Sequence, residues 1–252
     1  MATTPVTTAM PAPEPQPSIS PFGRIIGVLF SPKTTFEDIA RKPSWLLPVI
    51  LLAILGCVVA IGLNQKMNWR EYVAQQIEKS PRAGQLTPEQ KEQQISTGAK
   101  ISPYITYIFG IPAPIIVVLL VAGIMLGAYN LLAGAGVTYR SALAIVAHAY
   151  VPVLLGNILF LVVLFLKAPG TLDLDNPVAT NLAAFLPEGT PKWLDAAAKN
   201  VDIFIIWITL LIATGFAAAS PRKLKGGKAY TIAFAMLIVW IVCRMGLAFV
   251  FS

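Results

Sequence analysis

One histidine, one arginine, one aspartate and a few amides stand in or beside otherwise apolar sequence, and they are the residues with which this chain could do chemistry. His148 is the single histidine. An imidazole titrates near pH 6.5 and can serve as a base or a proton relay. A Ser-His-Asp arrangement also needs an orienting acid, and the apolar run around His148 contains none. The residues favour a neutral ring bonded to a backbone carbonyl or to Tyr150. Arg244 lies inside the last apolar run, where a charge is costly unless it is paired or reaches the headgroups. Asp202 opens the preceding run at a comparable depth, which makes an Asp202–Arg244 pair geometrically feasible. Asn130, Asn157 and Asn200 complete the set. These side chains could line a crevice for a transported ion or lipid. Hydrogen bonds between helices are the favoured use.

Recognisable active-site patterns are missing. The sequence has no G-x-x-x-x-G-K-[ST], H-E-x-x-H, C-x-x-C or G-x-S-x-G, which argues against nucleotide hydrolysis, zinc-protease and nucleophile-elbow chemistry on this chain. No paired carboxylates sit within the apolar runs, as a proton pump would require. Cys57 and Cys243 both fall inside such runs and read as small packing residues without metal-ligand spacing. The expectation is a protein with no catalytic, cofactor-binding or metal-binding residues, and not an enzyme.

The elements that must hold these residues are apolar runs over 45–63, 104–132, 142–166, 201–219 and 229–251. The chain is 56% hydrophobic and 12% charged, against about 25% charged in soluble domains. A helix needs roughly 20 apolar residues to cross about 30 Å of hydrocarbon, and each run approaches or exceeds that. The runs are apolar on all sides, unlike the alternating strands of a membrane barrel. The expected fold is all-α, a polytopic bundle of five transmembrane helices with a short N-terminal interfacial helix. Residues 1–21, with prolines at 5, 11, 13, 15, 17 and 21, read as a disordered tail. Residues 22–252 form the membrane domain.

Segment 22–30 places Phe22, Ile25, Ile26, Leu29 and Phe30 at helical spacing, too short to span and suited to the interface. Ser31 and Pro32 signal a second helix start, with Phe36, Ile39 and Ala40 facing the membrane or the bundle, and Pro43 ends it. Loop 64–103 predicts two short helices, one striped by Trp69, Tyr72, Val73 and Ile77, the other opened by Thr87-Pro88-Glu89-Gln90, with Pro81 between them. Pro103, Pro112 and Pro114 kink the second span near its start. Gly123 and Gly127 make a G-x-x-x-G pair, read as packing within the bundle in preference to a dimer contact. Thr190-Pro191 starts a helix over 191–199 that could continue into the fourth span, and 176–181 forms an ordered turn.

The net charge of +7 is concentrated. Arg24, Lys33, Arg41 and Lys42 precede the first span, and Arg222, Lys223, Lys225 and Lys228 crowd one short, acid-free loop. No aromatic-basic platform accompanies them, so membrane lipids are the expected partner and nucleic acid is not. A second copy or another membrane protein is the further partner considered. Lys and Arg divide evenly between the two sides. The acid-free loop decides for a cytoplasmic N-terminus, with residues 10 and 225 on the same side and the chain in an inner membrane.

Several stretches resemble one family. Ser31-Pro32-Lys33-x-Thr35-Phe36-x-x-Ile39-x-x-x-Pro43-x-Trp45 is similar to the opening of Yip1-domain membrane proteins. Gly134-Ala-Gly136-Val-Thr138-Tyr139, followed by Ala147-His-Ala-Tyr150-Val-Pro152, resembles the family's central block. Asn176-Pro177-x-x-x-Asn181-Leu182 and Val201-Asp202-x-Phe204-x-x-Trp207 look like its bacterial branch. The likeness covers roughly residues 20–252 and implies a five-span helical domain with a cytoplasmic N-terminus. Eukaryotic relatives act in vesicle traffic and associate with Rab GTPases and with one another. The resemblance implies no catalytic residues. The function expected is a non-enzymatic membrane-organising or scaffolding protein. The alternatives are a transporter, channel or lipid-moving protein built on the polar positions, or a membrane enzyme with His148 as its base.

Overall fold

A serine and a proline open the first helix. In the computed structural model the Ser20 hydroxyl accepts a 3.1 Å bond from the Gly23 N–H, and Pro21 takes the first position of α1 (Pro21–Phe30), where its missing N–H costs nothing. The structure describes residues 18–80, 83–167, 174, 176–187 and 189–250; of the tail expected over 1–21, residues 1–17 lie outside them, as does Pro81, while Ser20 and Pro21 belong to the start of α1. Phe22, Ile26 and Phe30 form an exposed stripe along α1, while Arg24 and Val28 are buried on the opposite side. The stripe suits an interfacial helix, as the spacing predicted.

α2 (Pro32–Arg41) starts where Ser31-Pro32 indicated, by a different device. The Ser31 side chain makes no cap. Its carbonyl instead accepts from the Thr35 hydroxyl at 2.8 Å and the Thr34 hydroxyl at 3.1 Å. Phe36 and Ile39 are fully buried, so this face belongs to the bundle. α2 ends before Pro43, which disfavours helical backbone at the residue preceding it.

α3 (Leu46–Lys66) is followed by α4 (Trp69–Glu78) and α5 (Pro88–Gly110). The capping box at Thr87 and Gln90 is formed in both directions. The second of the two expected short helices is in fact 23 residues long, and it takes up the first part of the run read as 104–132. The break falls at Ile111, before α6 (Pro112–Ala133). Pro112 has no N–H to continue the ladder. Asn64 on α3 braces α5 below the break, donating to the Thr106 hydroxyl at 2.7 Å. At the break a Cβ on Gly56 would collide with the Gly110 carbonyl oxygen, so glycine allows α3 and α5 to touch.

α7 (Tyr139–Ala149) and α8 (Pro152–Leu166) divide the third run at Tyr150–Val151, again ahead of a proline. α9 (Lys192–Asn200) stops short of α10 (Ile203–Ala219), and α11 (Lys228–Val250) closes the described chain. The expected continuity of α9 into the fourth span is therefore wrong. Asp202 pairs with Asn181 in an isolated antiparallel bridge between them, and no strand occurs among the described residues.

Four helical stretches are long and apolar enough to cross a membrane: Leu46–Lys66, Pro112–Ala133, Tyr139–Leu166 and Lys228–Val250. α10 has 17 residues and rises about 26 Å, short of the roughly 30 Å of a hydrocarbon core. The run counted from the sequence began at 201; the helix begins only after the Asp202 cap. α10 nevertheless sits at the centre, packed against α2, α7, α8 and α11. Its Gly215 meets Ile145 of α7 and Phe36 of α2 so closely that a Cβ would collide with both. Next to it Phe216 stacks on Tyr129 of α6, with ring centroids 4.0 Å apart. The G-x-x-x-G pair does not do what was expected of it. A Cβ on Gly123 or Gly127 would meet nothing within 4 Å, and the close approaches occur at Gly56 and Gly215 instead.

Two long-range bonds gather the loops at one end. The Ser220 hydroxyl donates to the Ala135 carbonyl at 2.8 Å and the Tyr129 hydroxyl to the Ala229 carbonyl at 2.7 Å. The 134–138 turn, the 220–227 loop and the α1–α2 pair thus share an end. Leu224 is buried there, and the cations on either side of it are exposed.

Candidate functional site

The residues singled out in the sequence are scattered, each serving its own joint. His148, in the last turn of α7, is 1% exposed. Its Nδ1 lies 2.8 Å from the Ala144 carbonyl; a carbonyl can only accept, so Nδ1 carries the proton. This is the backbone partner expected of a structural histidine. Asn130, near the end of α6, donates to the Val137 carbonyl at 2.9 Å and accepts from the Val137 N–H at 3.0 Å. That double bond clamps a turn whose Gly134 and Gly136 both have positive φ, a conformation glycine adopts without strain. Asn157 is half-buried on α8, with no hydrogen bond from its amide.

Asp202 and Arg244 do not pair. One Asp202 oxygen accepts from the Phe204 N–H at 2.8 Å and from the Ile205 N–H at 3.3 Å, capping α10. Its other oxygen accepts the Thr180 hydroxyl. Arg244 is exposed and lies 6.0 Å from the Trp240 ring centroid. The Trp240 indole in turn donates to Asn200 at 2.9 Å. Depth along the helices made the ion pair feasible, but the cap at the helix start claims the aspartate. Asp202→Ala should therefore cost about 0.5–2 kcal/mol, the usual worth of a cap. Adding Arg244→Ala should shift the unfolding temperature additively in detergent; strong non-additivity would restore the ion pair.

The buried ion pair lies elsewhere. The Arg24 and Asp38 side chains are 6% and 2% exposed and 2.8 Å apart. Arg24 Nε donates to Asp38 at 2.8 Å, and Nη1 donates to the Lys42 carbonyl at 3.0 Å and the Ser44 hydroxyl at 2.7 Å. Arg41 approaches the other Asp38 oxygen at 3.6 Å. One guanidinium thereby ties α1, the end of α2 and the approach to α3 together. Beside it opens a cleft of about 660 Å³, to which Arg24, Arg41, Lys42 and Arg140 contribute positive charge and Ser44 and Ser141 hydroxyls. Its lining contains no carboxylate. None of His148, Asn130, Asn157, Asp202 or Arg244 reaches this cleft or the smaller one between α4 and α5. Reading the sequence had counted Arg24 and Arg41 only as surface charge. The available signal was register: Arg24 and Val28 are four apart, opposite the Phe22–Ile26–Phe30 stripe.

A family model for the Yip1 domain matches residues 26–245. The chain belongs to the Yip1-domain family. Comparison with curated proteins and with solved structures found no match. In this Yip1-domain chain the stretches that carried the resemblance are joints of the bundle. Phe36 and Ile39 fill the space between α2 and the centre. Gly134 and Gly136 turn α6 into α7, Thr138 caps α7 through the Ser141 N–H, and Asn181 and Asp202 bridge into α10. Asn64 is a further joint that the sequence did not announce. At the end of α3 an asparagine reads as the start of a loop, and its partners Thr106 and Trp69 lie on other helices.

Proposed function

We propose that this Yip1-domain protein is a non-enzymatic scaffold of bacterial type, organising an inner membrane through contacts with lipid headgroups and with other membrane proteins or further copies of itself. It crosses the bilayer five times with its N-terminus in the cytoplasm, α10 being the short fourth crossing. In support, α10 starts beside Gly156 of α8, where Phe204 packs. It ends beside Ala135, at the far end of the α7–α8 pair.

The observation that carries the functional reading is how the buried polar groups are used. Among the described residues, no buried side-chain nitrogen or oxygen lacks a hydrogen-bond partner. His148, the residue best suited to move a proton, is fixed on Ala144 with Arg24 as the nearby charge. Among the described residues no carboxylate is hydrogen-bonded to its ring to receive a proton. A relay needs a group that meets water and changes protonation; a joint needs only its bond.

Proteoliposomes test the reading. Purified protein should raise neither ion flux nor lipid transbilayer movement above protein-free vesicles. His148→Asn, which keeps a donor near the Ala144 carbonyl, should leave abundance and unfolding temperature near wild type. Flux that stops in His148→Asn while the protein stays folded would replace the scaffold by a transporter.

A further inference from the structure

We propose that the cleft at the α1–α2–α7 corner binds the phosphate of an anionic glycerophospholipid. The argument starts from charge. Four cations line or frame the cleft, and Asp38, the carboxylate beside Arg24 and Arg41, is already committed to both. Lys42 and Arg140 make no ion pair among the described residues. Cations gathered without counter-ions repel one another, and an anion relieves that repulsion.

Geometry makes the cleft a site rather than a charged patch. Arg24 is held at four bonding contacts by Asp38, Lys42 and Ser44, so its position is set before any ligand arrives. Ser44 accepts from Arg24 through its oxygen, which leaves its O–H to donate. The first turn of α7 closes the opposite wall. Thr138 caps the Ser141 N–H, and the other N–H groups of that turn have no partner within the helix. The positive end of the helix dipole adds to the four side chains. Fixed guanidinium, hydroxyl and backbone donors around one space suit a tetrahedral oxyanion.

The apolar stripe selects a lipid over a soluble anion. Arg24 belongs to the helix that exposes Phe22, Ile26 and Phe30 at 67%, 61% and 80%. With that stripe in the acyl boundary, the cleft on the other face of α1 stands near phosphate depth. The site rests on α1 lying in the interface and is independent of the scaffold role. A protein that binds lipid here and also conducts ions would overturn that role and keep the site.

The test uses the full chain in nanodiscs, reading how strongly phosphatidylglycerol is retained over phosphatidylcholine by native mass spectrometry. Wild type should prefer phosphatidylglycerol. Lys42→Gln and Arg140→Gln, both at exposed positions, should each lower the preference about fivefold, the effect of one cation near an anionic surface. The double variant should lower it on the order of 25-fold at an unchanged unfolding temperature. Lys223→Gln with Lys225→Gln, in the loop outside the cleft, removes the same charge from that end and should lower the preference clearly less than the cleft pair. An equal loss in that control pair, or no loss in the cleft variants, would overturn the site. Inorganic phosphate should fail to displace the lipid at equal concentration; full displacement would overturn the lipid assignment in favour of a soluble phosphate.

Discussion

Asp38→Asn should lower the unfolding temperature more than any other single change at the α1–α2 end of the bundle, with a loss of about 3–5 kcal/mol. The substitution leaves Arg24 buried at 6% exposure without a counter-charge, and with Arg41 and Lys42 on the same cleft. Arg24→Gln should be milder. Arg41 is half exposed and already 3.6 Å from Asp38, so it can close on the orphaned carboxylate. Replacing both by apolar residues of similar size, Arg24→Met with Asp38→Leu, should recover most of the loss, as buried ion pairs seldom outperform good packing. The readout is thermal unfolding of purified protein in mild detergent. Equal losses from the two single changes, adding in the double, would mean that each charge is satisfied by water.

Alanine at two glycines should move stability in opposite directions. Glycine inside a helix costs about 0.5–1 kcal/mol relative to alanine, so propensity alone favours the change at both. At Gly123 the new Cβ meets open space, and Gly123→Ala should stabilise by up to about 1 kcal/mol. At Gly215 it would collide with Ile145 and the Phe36 ring. The three helices cannot part without opening the core, so Gly215→Ala should destabilise by about 1–3 kcal/mol despite its better propensity. Ile145→Ala, which removes the obstructing methyl, should rescue Gly215→Ala in part while destabilising the parent. Unfolding shifts of the same sign at Gly123 and Gly215 would refute the account of the crossing.

Local signals were legible and distant partners were not. Thr87 marks a helix start because a cap acts over three residues; Ser31, read the same way, makes no side-chain cap. Apolar run length located the long helices because the bilayer sets a single dimension. Run length could not show that Pro112 splits one run at Ile111, or that Asp202 delays the start of another, since both runs stay apolar across the break. The site was harder to read. Arg24 and Asp38 lie in separate helices, 14 residues apart, and each alone reads as a solvated charge on an amphipathic segment. The stretch between them carries the Ser31 turn, and only that turn brings the two together. The apolar G-x-x-x-G pattern, by contrast, was conspicuous and points away from the packed centre.

The crossing at Gly215 also orders events during synthesis. Phe36 leaves the ribosome early, whereas the helix that receives it is made about 180 residues later, roughly 9–36 s at about 5–20 residues per second. Through that interval α1 and α2 have their own ion pair but no floor beneath Phe36 and Ile39. Until α10 is made, the pair has only its contacts with α3 and α7 to dock on. The first two helices are thus made first but find their central seat only once α10 has been made.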